Sequence, residues 1–141
     1  MTAATTDEVC VLVVDDDEGI RETLRDVVET AGCSVILAAS GEEALGVLAT
    51  HRPCLVILDL MMPTMSGTEM LRAMQKRPEL ASLPVVISTS APALAPPGMP
   101  VLAKPIDIGV LWVWMGRTCG CAPAMSRAGE TAKTGKEPVP T

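Results

Sequence analysis

Residues 55–63 read Leu-Val-Ile-Leu-Asp-Leu-Met-Met-Pro, an apolar run that stops at the carboxyl group of Asp59. A second run, Val-Cys-Val-Leu-Val-Val at 9–14, is followed by three consecutive aspartates at 15–17. Short, continuous runs of Val, Ile and Leu are typical of strands buried on both faces of a parallel sheet. Ligands of open α/β sheets bind at the carboxyl ends of the strands, so the sequence predicts a crevice there that is crowded with carboxylates.

This crowding of carboxylates predicts a divalent metal. Like charges at close range cannot all stay ionised unless a cation neutralises them. Mg²⁺ fits such a site because it prefers oxygen ligands, keeps several waters and is held by few carboxylates. An aspartate held by a metal can accept a phosphoryl group.

The rest of the chain alternates strand-like runs with amphipathic helices, which indicates a parallel sheet covered by helices on both faces. Ser40, with Glu43 three residues later, has the pattern of a capping box. Gly32 follows the first helical stripe in the usual terminal position. The predicted strands are 9–14, 33–38, 54–58, 85–88 and 101–103. Four helices are predicted: one from the first strand up to Gly32, one after Ser40, one that begins after Ser66-Gly67 and ends before Pro78, and one over 108–118.

Length and charge narrow the class of protein. The 141 residues suffice for one domain. The lack of apolar periodicity in residues 119–141 predicts a flexible tail there. The net charge of −6 argues against a nucleic-acid surface, which needs clustered Lys and Arg. No apolar run approaches the roughly 18 residues that span a bilayer, and residues 1–8 lack the features of a secretory signal. We therefore expect a cytoplasmic protein that binds neither nucleic acid nor membranes.

The five cysteines are an odd number and give no zinc pattern. Cys10, Cys33 and Cys54 lie in strand-like runs, where cysteine packs as a small hydrophobe. Cys119-Gly-Cys121 has no second Cys/His pair at zinc spacing. We expect neither a metal nor a redox role for these side chains.

Taken together, the strand-end residues resemble the receiver domain of bacterial two-component response regulators, over residues 8–118. The resemblance implies a flavodoxin-like, doubly wound, five-stranded parallel sheet in the order 2-1-3-4-5. Any one of the matching positions is weak, but all of them in order are specific. They are Asp15-Asp16 after the first strand, Asp59 in Asp-Leu-Met-Met-Pro-x-Met-Ser-Gly after the third, Thr89 ending the fourth, 30 residues beyond Asp59, and Lys104-Pro105 after the fifth.

The resemblance also implies roles for these residues. Asp16 and Asp59 would bind Mg²⁺ directly with the Met61 backbone carbonyl, and Asp15 would orient metal-bound water. Asp59 would take the phosphoryl group from a phosphohistidine on a sensor histidine kinase or a phosphotransfer protein.

Two further residues would read the phosphorylated state. The Thr89 hydroxyl and the Lys104 ammonium would contact the phosphoryl group and draw their loops toward it. The result would be a switch in contacts with a downstream protein.

Each position also has a structural interpretation that remains open. The aspartates at 15–17 can be helix N-cap acids, and Asp17 is expected to be one. Lys104 can be a surface charge, and Thr89 a β-former that finishes its strand. Ser88 and Ser90 flank Thr89, so an error of one residue would exchange the hydroxyl.

The chain departs from the family pattern between the fourth and fifth strands. Thr89 and Lys104 are only 15 residues apart, and 90–100 contains four prolines. Proline in a helix interior costs about 3 kcal/mol, so the helix expected here should be shortened or replaced by a Pro-rich loop. Val101 stands where the family usually has an aromatic residue.

The last predicted helix is apolar on almost every side and contains Trp112 and Trp114. Two residues apart, these rings point roughly 200° from each other around a helix. Either one tryptophan is an interface anchor, for example in a homodimer through this helix, or both rings fill the space left by the shortened segment.

We predict a stand-alone phosphoacceptor, with a receiver domain at 8–118 and a tail at 119–141, and not an enzyme. Met61 and Ala91 cannot orient a hydrolytic water, so the phosphoryl group should be lost slowly. One alternative is a receiver-like interaction module that is never phosphorylated. Another is an aspartate-nucleophile phosphohydrolase, but those enzymes place a second acid where this chain has Met61.

Overall fold

Five short strands form a parallel sheet in the computed structural model, which describes residues 10–120. Their order across the sheet is β2-β1-β3-β4-β5, with every neighbouring pair parallel. The predicted flavodoxin-like, doubly wound arrangement is therefore confirmed. The strands are β1 Cys10–Val14, β2 Ser34–Ala38, β3 Leu55–Asp59, β4 Val85–Thr89 and β5 Val101–Ala103.

Helices cover both faces of the sheet because alternate strand residues point to opposite sides. On one face, α1 and α5 bury their apolar stripes against Val11, Val13 and Ile57, among others. On the other face, α2, α3 and α4 pack against Leu12, Val56 and related residues. The helices are α1 Glu18–Thr30, α2 Gly41–Leu48, α3 Gly67–Gln75, α4 Pro78–Ala81 and α5 Ile108–Thr118.

Side chains that cap the helices fix where they start. Asp17 is the N-cap of α1, as predicted, and its Oδ1 accepts a hydrogen bond from Ile20 N at 3.1 Å. At α2, Ser40 accepts from the Glu43 backbone, but the Glu43 side chain accepts from Ala39 N instead of Ser40 N. The predicted capping box is therefore only half right.

A complete capping box occurs instead at the start of α3. Ser66 Oγ accepts from Glu69 N, and Glu69 Oε1 accepts from Ser66 N. The sequence carries the same Ser-x-x-Glu pattern here as at α2. This cap fixes the start of the helix that follows the loop after Asp59.

The segment between β4 and β5 has no ordinary helix, which confirms the prediction made from its prolines. It contains only a 3₁₀ turn at Pro92–Leu94, and Gly98 has φ 83°. The short helix α4, between β3 and β4, was not predicted. It begins at Pro78, whose fixed φ suits the first helical position, and it buries Leu80.

Both tryptophans of α5 pack inside the domain. Trp114 is buried in the core on the α1 side, and Trp112 packs against that core. Trp112 Nε1 donates a hydrogen bond to Val27 O at 3.1 Å, satisfying a carbonyl in the last turn of α1. These contacts favour the space-filling interpretation, although Trp112 fills space against α1 and not at the shortened segment.

The expectation that Cys10, Cys33 and Cys54 act as small hydrophobes is wrong for Cys33 and Cys54, which are both disulfide-bonded. Cys54 forms a disulfide with Cys119, which caps the end of α5. Cys119 and Gly120 follow the last residue of α5, Thr118, and belong to the described residues. Cys121 and the rest of the predicted tail, 121–141, lie outside the described residues.

Within residues 10–120, no helix has the length and apolar character needed to cross a bilayer.

Candidate functional site

The carboxyl ends of β1 and β3 bring three aspartates together. Val14 pairs with Leu58 across these strands, so Asp15 and Asp59 follow side by side. Both are buried, whereas Asp16 is exposed at the mouth of the crevice. One carboxylate oxygen from each of the three lies within 4.8 Å of the others. The structure thus assembles the acidic crevice expected from the strand-end residues.

Lys104 lies at the same crevice, just after β5. Its Nζ donates to Asp15 Oδ2 at 3.0 Å and to Asp59 Oδ1 at 3.3 Å. Burial opposes the charge on Lys104, but its hydrogen bond to Asp15 and its attraction to both carboxylates outweigh burial and raise its pKa. Lys104 is therefore a fixed cation between two buried acids, and not a solvated surface charge.

Burial has the largest effect on the Asp59 carboxyl group. Its pKa is raised from 3.8 to about 6, mainly by loss of solvation and in addition by the nearby charge of Asp15. Lys104 and the Met61 backbone N–H, 3.4 Å from Oδ1, lower the pKa without cancelling these effects. Asp59 is therefore ionised near neutral pH, and its buried charge destabilises the folded state.

This cost predicts a pH dependence of stability in metal-free protein. Because the folded pKa is raised, Asp59 contributes stability that is present below about pH 4 and lost as the pH rises through about 6. Asp59→Asn removes this effect. As the pH rises from about 4 to about 6, the unfolding free energy of the variant should increase relative to that of wild type by up to about 3 kcal/mol. Urea unfolding of both proteins in EDTA at low and neutral pH measures it; a pH-independent difference would contradict the expectation.

The loop after Asp59 is held close to the sheet by Gly67, the first residue of α3. Gly67 N donates to Leu60 O at 2.9 Å. A Cβ at position 67 would lie 2.3 Å from Asp59 O and 2.8 Å from Leu60 Cα. Only glycine permits this approach, so α3 begins directly beside the backbone of Asp59. The sequence marks Gly67 only as the point where a helix begins and gives no sign of this contact.

Thr89 ends β4 and is buried, and its hydroxyl oxygen accepts a hydrogen bond from Ala91 N at 3.0 Å. No hydrogen bond joins Thr89 to Asp59 within the described residues. Ser88, one residue earlier, pairs directly with Asp59 in the sheet, and its buried Oγ has no hydrogen-bond partner in the described part of the chain. Ser90 is exposed. The crevice therefore gathers Asp15, Asp16, Asp59 and Lys104, with Thr89 beside it.

The hydrogen bonds of the crevice indicate which oxygens suit a hard cation. Both carboxylate oxygens of Asp15 already accept, from Asp17 N and from Lys104 Nζ. Asp16 and Asp59 Oδ2 accept no hydrogen bond from residues 10–120. The exposed Asp16 carboxylate and Asp59 Oδ2 are therefore available as ligands. Mg²⁺ prefers oxygen ligands and needs few of them from the protein. The residues present therefore fit such an ion.

An open groove of about 720 Å³ leads away from Lys104 between α1 and the start of α5. Its walls are mainly apolar, with Ile20, Leu24, Ile106 and Ile108 among the lining residues. Ile108 is one of the few large hydrophobic residues exposed in residues 10–120. The acidic crevice thus adjoins a groove whose surface is mainly apolar.

Known proteins with similar sequences are response regulators. Response regulator MprA of Mycolicibacterium vanbaalenii is 42% identical over 80 residues, which are 57% of this chain and 34% of that protein. MprA of Mycobacterium avium is 41% identical over the same length. The chain therefore matches about a third of the length of these curated relatives.

Solved structures show the same similarity in three dimensions. Chemotaxis response regulator CheY4 of Vibrio cholerae superimposes with a TM-score of 0.71 at 29% identity, covering 78% of this chain and 98% of that one. A putative response regulator from Chloroflexus aurantiacus gives a TM-score of 0.69 at 30% identity, covering 79% and 97%. Residues 11–111 match the response regulator receiver domain as a family. The chain belongs to the response regulator receiver family.

Proposed function

We propose that Asp59 accepts a phosphoryl group, with Mg²⁺ bound in the crevice, from a phosphohistidine on a sensor histidine kinase or a histidine phosphotransfer protein. The observation that carries this proposal is the Lys104 ammonium, which lies 3.0 Å from Asp15 and 3.3 Å from Asp59 at the mouth of a buried acidic crevice. Such an ammonium can neutralise a transferred phosphoryl group.

In this proposal, the Asp59 carboxylate attacks the phosphorus in line. The new bond joins an Asp59 oxygen to phosphorus, and the P–N bond to the donor histidine breaks with its electron pair leaving on the imidazole. Asp16, Asp59 and the Met61 carbonyl would hold the ion, which would supply positive charge to the phosphoryl oxygens. Asp15, already fixed by Lys104 and Asp17 N, would orient water around the ion.

The groove beside Lys104 supports transfer from a protein. A phosphohistidine presented by a helix or loop must reach a crevice whose nucleophile is buried. The apolar wall formed by Ile20, Ile106 and Ile108 adjoins Lys104 and offers contact area next to the reacting atoms. We place this exchange in the bacterial cytoplasm, with Asp59 as acceptor and not as part of an enzyme.

Phosphorylation would change the partners of two side chains. Lys104 would exchange its bond with Asp59 for a phosphoryl oxygen, and the Thr89 hydroxyl would donate to the same group. Thr89 directly precedes the proline-rich segment and Lys104 follows β5, the strand after it, so their movement would be passed to this segment. The readout would be a change in contacts with a downstream protein, without contact to nucleic acid by residues 10–120.

Incubation with acetyl phosphate tests the proposal without knowledge of the natural donor. With Mg²⁺ present, intact-mass measurement should show one phosphoryl group added to the full chain. EDTA should prevent this gain because the crevice then lacks the cation that balances the phosphoryl charge. A chain that gains no phosphoryl group with Mg²⁺, although circular dichroism shows it folded, would be a receiver-like module that does not use this chemistry.

The phosphoryl group should be lost slowly once formed. Met61 and Ala91 carry apolar side chains at the positions from which a polar group could orient an attacking water. We therefore expect Met61→Glu to shorten the lifetime of purified phosphoprotein by about tenfold or more, somewhat less than the roughly 10²–10⁴-fold that a well-positioned acid–base group contributes. The exposed Met61 side chain makes the substitution tolerable. Equal decay in Met61→Glu, Met61→Gln and wild type, measured by mass over time, would overturn this expectation.

A further inference from the structure

The disulfide lies at the pole of the domain opposite to the acidic crevice. Cys54 directly precedes β3, and Cys119 caps the end of α5, with their Cα atoms 5.2 Å apart. β3 carries Asp59 at its other end, and α5 follows Lys104 after a short connection. One covalent bond therefore joins the two chain segments that hold the central ion pair of the crevice.

Cys54 and Cys119 are only partly buried, whereas Cys10 and Cys33 are buried. Of these four cysteines, Cys54 and Cys119 are therefore the more accessible to a thiol in solution. In the reducing cytoplasm, where the proposed phosphohistidine donors act, disulfides are usually transient and serve catalysis or redox sensing. An accessible disulfide between distant segments fits redox sensing better than permanent stabilisation.

We propose that Cys54 and Cys119 form a reversible thiol–disulfide site, reduced by small thiols or by dithiol proteins, that makes the phosphoacceptor crevice sensitive to the cellular redox state. The site itself stands apart from the proposed function. Only its effect on Asp59 rests on that function.

The chemical step is thiol–disulfide exchange. A thiolate of the reductant attacks one sulfur, the bond between Cys54 and Cys119 breaks, and the released sulfur takes a proton. A second thiol then attacks the mixed disulfide. Two protein thiols and one disulfide of the reductant result, so two electrons pass to the protein, and an oxidised disulfide of the same class reverses the step.

Reduction would loosen the end of α5 without detaching the helix. Leu111, Trp114 and Met115 remain buried against the sheet. The last turn, however, loses its covalent link to β3, and a cavity of about 340 Å³, lined by Leu55 and Trp114 among others, lies beside it. The turn therefore has room to move. The oxidised form keeps Lys104 and Asp59 in their present geometry, which favours phosphoryl transfer.

A redox titration tests the site independently of phosphorylation. The full chain is equilibrated in glutathione buffers of increasing reducing strength, quenched with an alkylating reagent and mapped by peptide mass. Cys54 and Cys119 should become labelled together, in one reversible transition. Hydrogen exchange should quicken in the last turn of α5 upon reduction, with no change in α3. Labelling of one cysteine without the other, or a bond resistant to every buffer, would overturn the proposal.

The effect on the crevice is measured with acetyl phosphate and Mg²⁺. Reduction of wild type should slow phosphorylation about fivefold, the lower range of typical coupling between sites. Cys119→Ser and Cys54→Ser should resemble reduced wild type and show no response to reductant. Equal rates for both forms of wild type would refute the link to the crevice. If neither form is phosphorylated, the proposed function fails, whereas the titration still decides whether the thiol–disulfide site exists.

Discussion

Asp59→Asn is expected to abolish phosphorylation by acetyl phosphate while the protein stays folded. The amide keeps the shape of the carboxyl group but is too weak a nucleophile to attack phosphorus. It also removes the negative charge and one of the two oxygens available to the metal. Because neutral asparagine avoids the raised pKa of the buried acid, the metal-free variant should be more stable than wild type at neutral pH. Intact-mass and urea-unfolding measurements report the two effects separately.

Asp17→Asn is the matched control for this variant. Asp17 is also an aspartate of the β1–α1 loop, but it serves as the N-cap of α1 and is exposed. Asparagine caps helices about as well as aspartate, so Asp17→Asn should be phosphorylated like wild type. A phosphoryl group found in Asp59→Asn, located by peptide mass at another acid, would move the acceptor away from the end of β3.

Gly67→Ala is expected to have the largest effect on the fold near the crevice. The added Cβ would lie 2.3 Å from Asp59 O and 2.8 Å from Leu60 Cα, and both atoms belong to the backbone. No side-chain movement can relieve this overlap, so α3 must move away from β3. We expect a loss of about 3 kcal/mol in unfolding free energy. Phosphorylation should also slow because the backbone that carries Asp59 is displaced.

Gly46→Ala separates this overlap from the general effect of replacing glycine in a helix. Gly46 lies in α2, and a Cβ there would meet nothing within 4 Å. Alanine should therefore stabilise the protein by about 0.5–1 kcal/mol, since it restricts the unfolded chain. Denaturant unfolding compares the two variants. Similar stability for Gly67→Ala and Gly46→Ala would show that the contact between α3 and Asp59 is not tight.

Most of the sheet could be predicted because its strands are continuous Val, Ile and Leu runs with clear ends. The shortened segment between β4 and β5 was equally clear, since prolines there exclude a helix. By contrast, α4 has four residues, too few for any helical periodicity to be visible. The disulfide could not be predicted either, because Cys54 and Cys119 are 65 residues apart and only the fold brings them together.

The sequence predicted which residues form the candidate site, but not the hydrogen bonds that they make. Acids at the ends of β1 and β3 must meet in a parallel sheet with this order, and the resemblance to receiver domains supplied Lys104 and Thr89. Spacing does not encode side-chain rotamers. It therefore gave no sign that Lys104 bonds both Asp15 and Asp59, or that the Thr89 hydroxyl accepts from Ala91 N. The pairing of Ser88 with Asp59 was likewise visible only in the sheet register.

The proline-rich connection between β4 and β5 sets how this domain can move. Each proline fixes φ and lacks a backbone donor, so four of the residues at 90–100 have restricted backbones and cannot donate helical hydrogen bonds. A displacement that starts at Thr89 cannot be absorbed by unwinding and rewinding a helix there. The connection would instead move as a rigid segment, and the exposed Leu94 would move with it.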